Sequence, residues 1–373
     1  MSEDFMPIKG MDHVEFYVGN ARQAAHFYRT GFGFAHTAYS GLETGNRETA
    51  SYVLEQGAIR LVLTAALGPD HAIARHAHLH GDGVGVIAMS VPDAAHAYRE
   101  TTKRGATGAI APTAVEDDHG VYRYSAIRAY GDTLIKFVDR SDYHGPFAPG
   151  YAARNGAAQS ENGKGKFAHK GLGLAHIDHI VGNVELGAMN RWVAFFANTM
   201  GFSQLVHFDD EDISTEYSAL MSKVMQDGTG KVKFPINEPA EGKKKSQIQE
   251  YLDYYYGPGV QHLALSTGDI VTAVTQLRDN GIEFLRVPNT YYEDLEERVG
   301  HIDEPIDKLA ELGVLVDRDE EGYLLQIFTR PVEDRPTIFY EIIERHGSRG
   351  FGKGNFKALF ESIEREQALR GNL

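Results

Sequence analysis

From residue 10 the chain alternates short apolar runs with amphipathic stretches, and it does so twice. "MDHVEFYVGN" (11–20) and "HIDHIVGNV" (176–184) each carry an Asp-His pair at the mouth of an apolar, strand-like run. "GVGVIAMSVPDAAHAYRETTKRG" (83–105) aligns without a gap on "GVQHLALSTGDIVTAVTQLRDNG" (259–281), with seven identities. Each of these reads as a strand, a turn with an Asp N-cap and a helix closed by Gly. "HFYRTGFGF" (26–34) parallels "AFFANTMGF" (194–202), and "TLIKFVDR" (133–140) parallels "IFYEIIER" (338–345). Segments between them, such as "TASYVLEQGAIRLVLTA" and "STEYSALMSKV", alternate and are bounded by turn residues, which predicts antiparallel strands.

The pattern predicts an α+β fold of four strand-helix-strands units, two in each half. The stretch 141–173 is dense in Gly, Ala, Ser and Pro and has no period, so the halves are expected at 1–150 and 174–373, with 151–173 as linker. The second half adds an insertion at roughly 286–320. It also adds a tail whose apolar positions Phe356, Leu359, Phe360 and Ile363 fall at helical spacing behind an Asn355 cap.

Composition narrows the chemistry. A net charge of −15 argues against nucleic acid or an anionic membrane as partner, since both require clustered Lys and Arg. There is no cysteine, so thiolate metal sites, disulfides and Cys nucleophiles are excluded, and any metal must take His, carboxylate or carbonyl ligands. "MSEDFMPIKG" lacks a basic and an apolar signal region, and no run of about 18 apolar residues occurs, so a cytoplasmic protein is expected.

Laying one half on the other isolates three positions. His179 faces His13, whereas His262 faces Val86 and Glu341 faces Lys136. His262 and Glu341 are polar groups inside otherwise apolar strands, where burial costs free energy unless a partner is found. A shared centre would resolve that cost. Two imidazoles and one carboxylate form the facial triad favoured by non-haem Fe(II), although zinc takes similar ligands. His176 competes with His179, but the two have opposite parity on a strand.

The stretches "DHIVGNV", "STEYSALMS", "KFPINEPAEGKKKSQIQEYL", "GVQHLAL", "DEEGYLLQIFTRPVEDRPTIFYEIIER" and "GFGKGNFKALFESIE" resemble the 4-hydroxyphenylpyruvate dioxygenase family. The resemblance runs over nearly the whole chain and is strongest from 176 onward. It implies the vicinal oxygen chelate fold, four βαβββ-type units in two open-barrel domains, with one Fe(II) in the C-terminal domain only. The implied ligands are His179, His262 and Glu341. The substrate-pocket polar groups implied are Gln247, Gln261, Gln326, Asn237 and Ser222, with aromatic walls Phe328, Phe351 and Phe356 and a C-terminal lid helix. The implied reaction turns 4-hydroxyphenylpyruvate and O₂ into homogentisate and CO₂, and a homo-oligomer, dimer or tetramer, is expected.

Other readings are weaker. A 4-hydroxymandelate synthase shares fold, iron and substrate, but that family tends to carry a smaller aliphatic residue where Phe328 stands. An extradiol ring-cleaving dioxygenase lacks the "PINEP…KSQIQ" and "LLQIF" segments, and the intact triad opposes a non-catalytic binding protein. "GSRGFGKG" (347–354) has Walker A spacing, but Gly354 stands where the loop needs Ser or Thr. "RHAHLHGDG" (75–83), with its alternate histidines, reads as solvated surface.

Overall fold

The computed structural model describes residues 4–154, 171–208, 219–240 and 242–372. In the first unit, β1 (Gly10–Tyr17) runs into α1 (Ala21–Gly31) and the meander β2 (Ala35–Ser40), β3 (Thr49–Gln56) and β4 (Ile59–Ala66). After α2 (Ala72–His80), the second unit repeats this with β5 (Gly83–Ser90), α3 (Ala94–Lys103), β6 (Gly108–Asp117), β7 (Gly120–Arg128) and β8 (Leu134–Tyr143). A two-residue β9 (Ala152–Ala153) follows, and the sheet order is β6-β7-β8-β5-β1-β4-β3-β2-β9.

The second half writes the same scheme again. Its third unit holds β10 (Leu174–Asn183), α4 (Met189–Met200), β11 (Ser203–Phe208), β12 (Ala219–Gln226) and β13 (Lys233–Ala240). Then α5 (Gln247–Tyr255) leads to β14 (Gly259–Thr267) and α6 (Ile270–Asp279). The insertion contributes α7 (Leu295–Val299) and α8 (Ile306–Leu312). The chain closes with β15 (Leu315–Arg318), β16 (Tyr323–Phe328), β17 (Phe339–His346) and α9 (Phe356–Leu369). The order β11-β12-β13-β10-β14-β17-β16-β15 matches the first sheet. In both, two antiparallel central strands each pair in parallel with the last strand of their own unit.

Side-chain caps account for where these helices start, including the two Asp caps expected from sequence. Asn20 accepts from Gln23 N, Asp93 from Ala95 N and His96 N, and Asp269 from Thr272 N, each satisfying an amide that the first turn leaves unpaired. Asn355 occupies the N-cap position of α9 but makes no side-chain cap, because its oxygen instead accepts the Tyr291 hydroxyl at 2.6 Å. Residues 155–170 of the expected linker and 214–218 of the expected strand lie outside the described residues.

The histidines at 76–80 correct the surface reading. The segment is helical, so His76 and His80 fall on one face, and both are buried. The His80 ring stacks on Tyr255 of the second half at 4.3 Å and 21°, and its Nδ1 bonds the Tyr255 carbonyl. Counting at a strand's period misplaced residues that sit at a helix's.

One apolar cluster runs through both halves, from Phe16 and Tyr28 to Phe196 and Tyr340. Polar groups cross the same seam. Gln56 accepts Leu172 N and Leu174 N at 2.5 and 3.2 Å, and the Tyr340 hydroxyl donates to that of Tyr28 at 2.9 Å. Among the described residues, no helix is long and apolar enough to cross a membrane.

The Tyr28–Tyr340 bond is buried, so Tyr340→Phe should leave the Tyr28 hydroxyl without a partner. Urea unfolding of that variant should show a loss of about 1–3 kcal/mol. A midpoint indistinguishable from wild type would show that the seam does not depend on this bond.

Candidate metal centre and cavity

Strand register assembles the site. His179 on β10 is the Cα partner of Ala264 on β14, and Ala264 is the partner of Glu341 on β17. Directly paired residues share a face, so His179 and Glu341 rise on either side of a methyl group. His262, two residues before Ala264, has the same parity and joins them. The His179 Nε2 lies 3.1 Å from Glu341 Oε2, and the His262 Nε2 lies 3.5 Å from the same oxygen. All three side chains are buried, with ligand atoms within 4.8 Å of one another. His176 is exposed and bonds Ser266 instead, through Nδ1 at 2.7 Å.

The outer nitrogens are committed elsewhere. His179 Nδ1 pairs with Asp178 Oδ1 at 2.8 Å, and Arg345 grips both Asp178 oxygens at 2.8 Å. His262 Nδ1 faces Gln261 Oε1 at 3.1 Å. With Nδ1–H donated outward, each Nε2 turns a lone pair toward a carboxylate that is itself a lone-pair donor. Three such donors repel unless a cation or a proton lies among them. Without a metal, a proton serves. Burial alone lowers His179, but Glu341 and Asp178 raise it above its ordinary value. Burial alone would raise Glu341, yet the two imidazoles hold it to about 2. His262 is pushed down, chiefly by burial. Asp178, despite its burial, is held well below the usual carboxylate range by Arg345 and His179. The donor set fits a divalent metal with imidazole and carboxylate ligands.

Around this point lies a half-open pocket that, with its solvent-filled mouth, encloses about 600 Å³ of empty space. Every pocket residue expected from sequence lines it: Ser222, Asn237, Gln247, Gln261, Gln326, Phe328, Phe351 and Phe356. Ser222 and Asn237 are Cα partners on β12 and β13, and Gln247 opens α5. Gln326 and Phe328 sit two apart on β16, and Phe328 is the Cα partner of Glu341. The Phe328 ring meets His262 edge-on at 6.0 Å and 90°. Phe351 stands edge-on to His179 at 5.1 Å, and Phe356 to Phe208 at 5.0 Å. Buried Gln326 Oε1 has no hydrogen-bond partner. Gly352 has a φ of +76°, which favours glycine, and a Cβ there would come within 2.2 Å of that oxygen and displace the Gln326 amide.

The far wall is α9, which presents all four of its expected apolar positions, Phe356, Leu359, Phe360 and Ile363. Its end is tied to α5 where Arg370 and Asn372 donate to Glu250 at 2.7 and 3.0 Å.

Three parts of the site went unassigned in the sequence. Phe339 stacks on His262 at 4.7 Å and 21°, and its place two residues before Glu341 was the available signal. Asp178 and Arg345 form the other omission. Their signal was the repeat itself, because Asp12, His13 and Arg140 make the same contacts in the first half. There His13 Nδ1 lies 2.6 Å from Asp12, and Arg140 donates to both Asp12 oxygens at 2.7 and 2.9 Å. The register is also the same: His13 pairs with Ala88, and Ala88 with Lys136. That row ends on an ammonium where the second half has a carboxylate, so the first half cannot hold a cation in the same way.

Fold and site together define a two-domain member of a metal-dependent superfamily. A sequence model of the Glyoxalase/Bleomycin resistance protein/Dioxygenase superfamily matches residues 10–141 and 173–327. Relatives named 4-hydroxyphenylpyruvate dioxygenase come from Dictyostelium discoideum, at 47% identity over 98% of this chain and 100% of the relative, and from Aspergillus fumigatus, at 45% over 100% and 96%. A third, from Yarrowia lipolytica, is 45% identical over 98% and 94%. The chain belongs to the 4-hydroxyphenylpyruvate dioxygenase family. Among solved structures, a variant of 4-hydroxymandelate synthase from Streptomyces coelicolor superposes with a TM-score of 0.84 at 32% identity, over 97% of this chain and 100% of that one.

Asp178→Asn keeps the shape of the relay but removes its charge and an acceptor. Divalent-metal affinity should fall by about 10–100-fold in calorimetric titration. Unchanged affinity would show that Asp178 does not orient the imidazole.

Proposed function

We propose that the chain is an Fe(II)-dependent dioxygenase that converts 4-hydroxyphenylpyruvate and O₂ into homogentisate and CO₂, with His179, His262 and Glu341 as the metal ligands. The observation that carries this reading is the convergence of two imidazoles and one carboxylate inside an aromatic-walled cavity. Family membership supports the substrate. Held by His179, His262 and Glu341, Fe(II) would supply the redox chemistry that activates O₂ beside an α-keto acid.

The chain's own groups then bind, orient and exclude water. Ser222, Asn237, Gln247 and Gln326 offer hydroxyl and amide groups that hydrogen-bond a carboxylate or a phenol while remaining neutral. The unpartnered Gln326 oxygen suits a donor such as a phenol hydroxyl. Phe351, Phe356 and Phe360 hold an aromatic ring between apolar faces, and α9 covers it, so the reacting carbons are kept from water. The substrate carries its own keto acid, whose oxidative decarboxylation supplies the electrons for ring hydroxylation. The side chain then migrates, and both atoms of O₂ end in homogentisate, one in the new ring hydroxyl and one in the carboxylate formed from the keto carbon, while CO₂ leaves with the substrate's own carboxylate oxygens.

Anaerobic loading with Fe(II), followed by substrate and O₂, should yield homogentisate. Glu341→Ala should remain folded, bind Fe(II) at least 10-fold more weakly and turn over little substrate, whereas Lys136→Ala should leave turnover near wild type. Wild-type turnover by Glu341→Ala would remove that carboxylate from the centre.

A second reading, 4-hydroxymandelate synthase, is favoured by the structural likeness at 32% identity, and Phe328 weighs against it. Phe328 shares its row with Glu341 and leans edge-on over His262, so its bulk limits where a substrate ring can lie. Phe328→Ile should let the ring swing outward and divert a fraction of product to 4-hydroxymandelate while O₂ uptake continues. Chromatography of products from that variant decides: homogentisate alone would show that Phe328 does not set the regiochemistry.

A further inference from the structure

On β17 the residues that face the cavity alternate with residues that face away from it, and the outward set ends in a second group of ligand-capable side chains. His346 Nε2 lies 3.0 Å from Glu304 Oε1 and 3.1 Å from Glu344 Oε1. The three ligand atoms lie within 4.8 Å of one another, as do those of the first centre. Glu344 and His346 come from β17, while Glu304 comes from the inserted segment, just before α8.

We propose that Glu304, Glu344 and His346 form a second divalent-cation site that fastens the insertion to the strand carrying Glu341. It is independent of the reading given above for the cavity.

Four observations carry it. Donors about 2.1 Å from one ion at right angles sit about 3 Å apart, which is the separation seen here between the imidazole and each carboxylate. The groups are also pre-positioned. Glu344 Oε2 accepts the Ile270 amide at the start of α6 at 2.7 Å, which fixes its other oxygen toward His346. The His346 ring lies flat on Tyr323, at 4.4 Å and 3°, and the Tyr323 hydroxyl accepts Asp303 N at 3.2 Å, holding the loop beside it. Third, the protein groups do not satisfy one another. One Nε2–H is shared between two carboxylates, and the other donor near Glu304 is the Tyr323 hydroxyl. Two largely buried carboxylates with so few donors cost free energy that a cation would recover. Fourth, two ionised carboxylates and a neutral imidazole would offset the charge of a 2+ ion, and the ion itself favours that state. The His346 side chain is 31% exposed, which leaves a way in for the ion.

A set of one nitrogen and two carboxylate oxygens suits Mn²⁺ or Zn²⁺, with water completing the coordination. Such an ion would have no open catalytic task. It would hold the insertion against β16 and β17, behind the strand that supplies Glu341.

The test uses Mn²⁺ alone as probe, with the full chain dialysed to equilibrium and its metal counted by elemental analysis. Wild type should hold two ions, Glu341→Ala one, Glu304→Gln one, and the double variant none. Mn²⁺ should also raise the melting temperature of Glu341→Ala but not that of the double variant. If Glu304→Gln holds as much Mn²⁺ as wild type, or if Mn²⁺ leaves the melting temperature of Glu341→Ala unchanged, the proposal is overturned. The second measurement needs no change at Glu304 and so stands even if that variant folds poorly. Failure of the first centre alone would look different, since metal would then be lost with Glu304→Gln and kept with Glu341→Ala.

Discussion

A one-residue slip of β14 against either neighbour would turn His262 out of the barrel and bring Gln261 or Leu263 in, because side chains alternate between faces with a period of two. The site therefore rests on one register, in which His179, Ala264 and Glu341 form a single row. Ala264 is as much a part of that arrangement as the ligands. A larger side chain there would fill the space over which His179 and Glu341 approach to 3.1 Å. The register is secured from outside the row: Leu263 and Leu265 bury the opposite face of β14, and the Asp269 cap fixes where α6 leaves it.

Both halves obey this constraint, yet only one assembles a donor set for metal. The Asp-His-Arg relay is present twice, with nearly the same distances. What differs is the rest of the row. In the first half Val86 stands in place of His262, and the Lys136 ammonium lies 4.8 Å above the Tyr124 ring. Phe147 meets His13 edge-on at 5.1 Å, and with Tyr122 and Tyr143 it fills the concave face. A buried Asp-Arg pair is expensive to break once made, because removing one member strands the other charge in the interior. This gives the relay a structural reason to persist in a half that lacks the two other ligands.

The repeats made much of this legible. Strands recur at a period of two and helices at 3.6, so comparing one half with the other exposed His262 and Glu341 as departures from an apolar pattern. The pocket amides were legible only through resemblance. Nothing in the period of "LMSKV" or "PINEP" says that Ser222 and Asn237 will be neighbours, since that is decided by the β12–β13 pairing. The misreading at 76–80 has a similar origin. Alternate histidines look like an exposed edge until tertiary packing against Tyr255 rewards the helix. Asn355 shows the converse, in that the cap was placed correctly but its oxygen was claimed by Tyr291, 64 residues away.

The cavity's polarity follows from where its donors already spend their bonds. Asp178 and Gln261 take the outer nitrogens, which leaves the inner lone pairs of His179, His262 and Glu341 directed at one another. Such an arrangement is stable only with positive charge at its centre, and the apolar walls offer few groups that could stand in for it. Phe328, Phe339 and Phe351 crowd the imidazoles, while α9 contributes Phe356, Leu359, Phe360 and Ile363 on the far side. The same walls that make the donor set demand a cation also lower the local dielectric around whatever binds beside it. Contacts from Gln326 or Asn237 to a bound carboxylate or phenol are then stronger than they would be in water. The apolar face of α9 is thus tied to the strength of the polar chemistry opposite it, and the Arg370–Glu250 pair, at the residue that caps the helix, keeps that face turned inward.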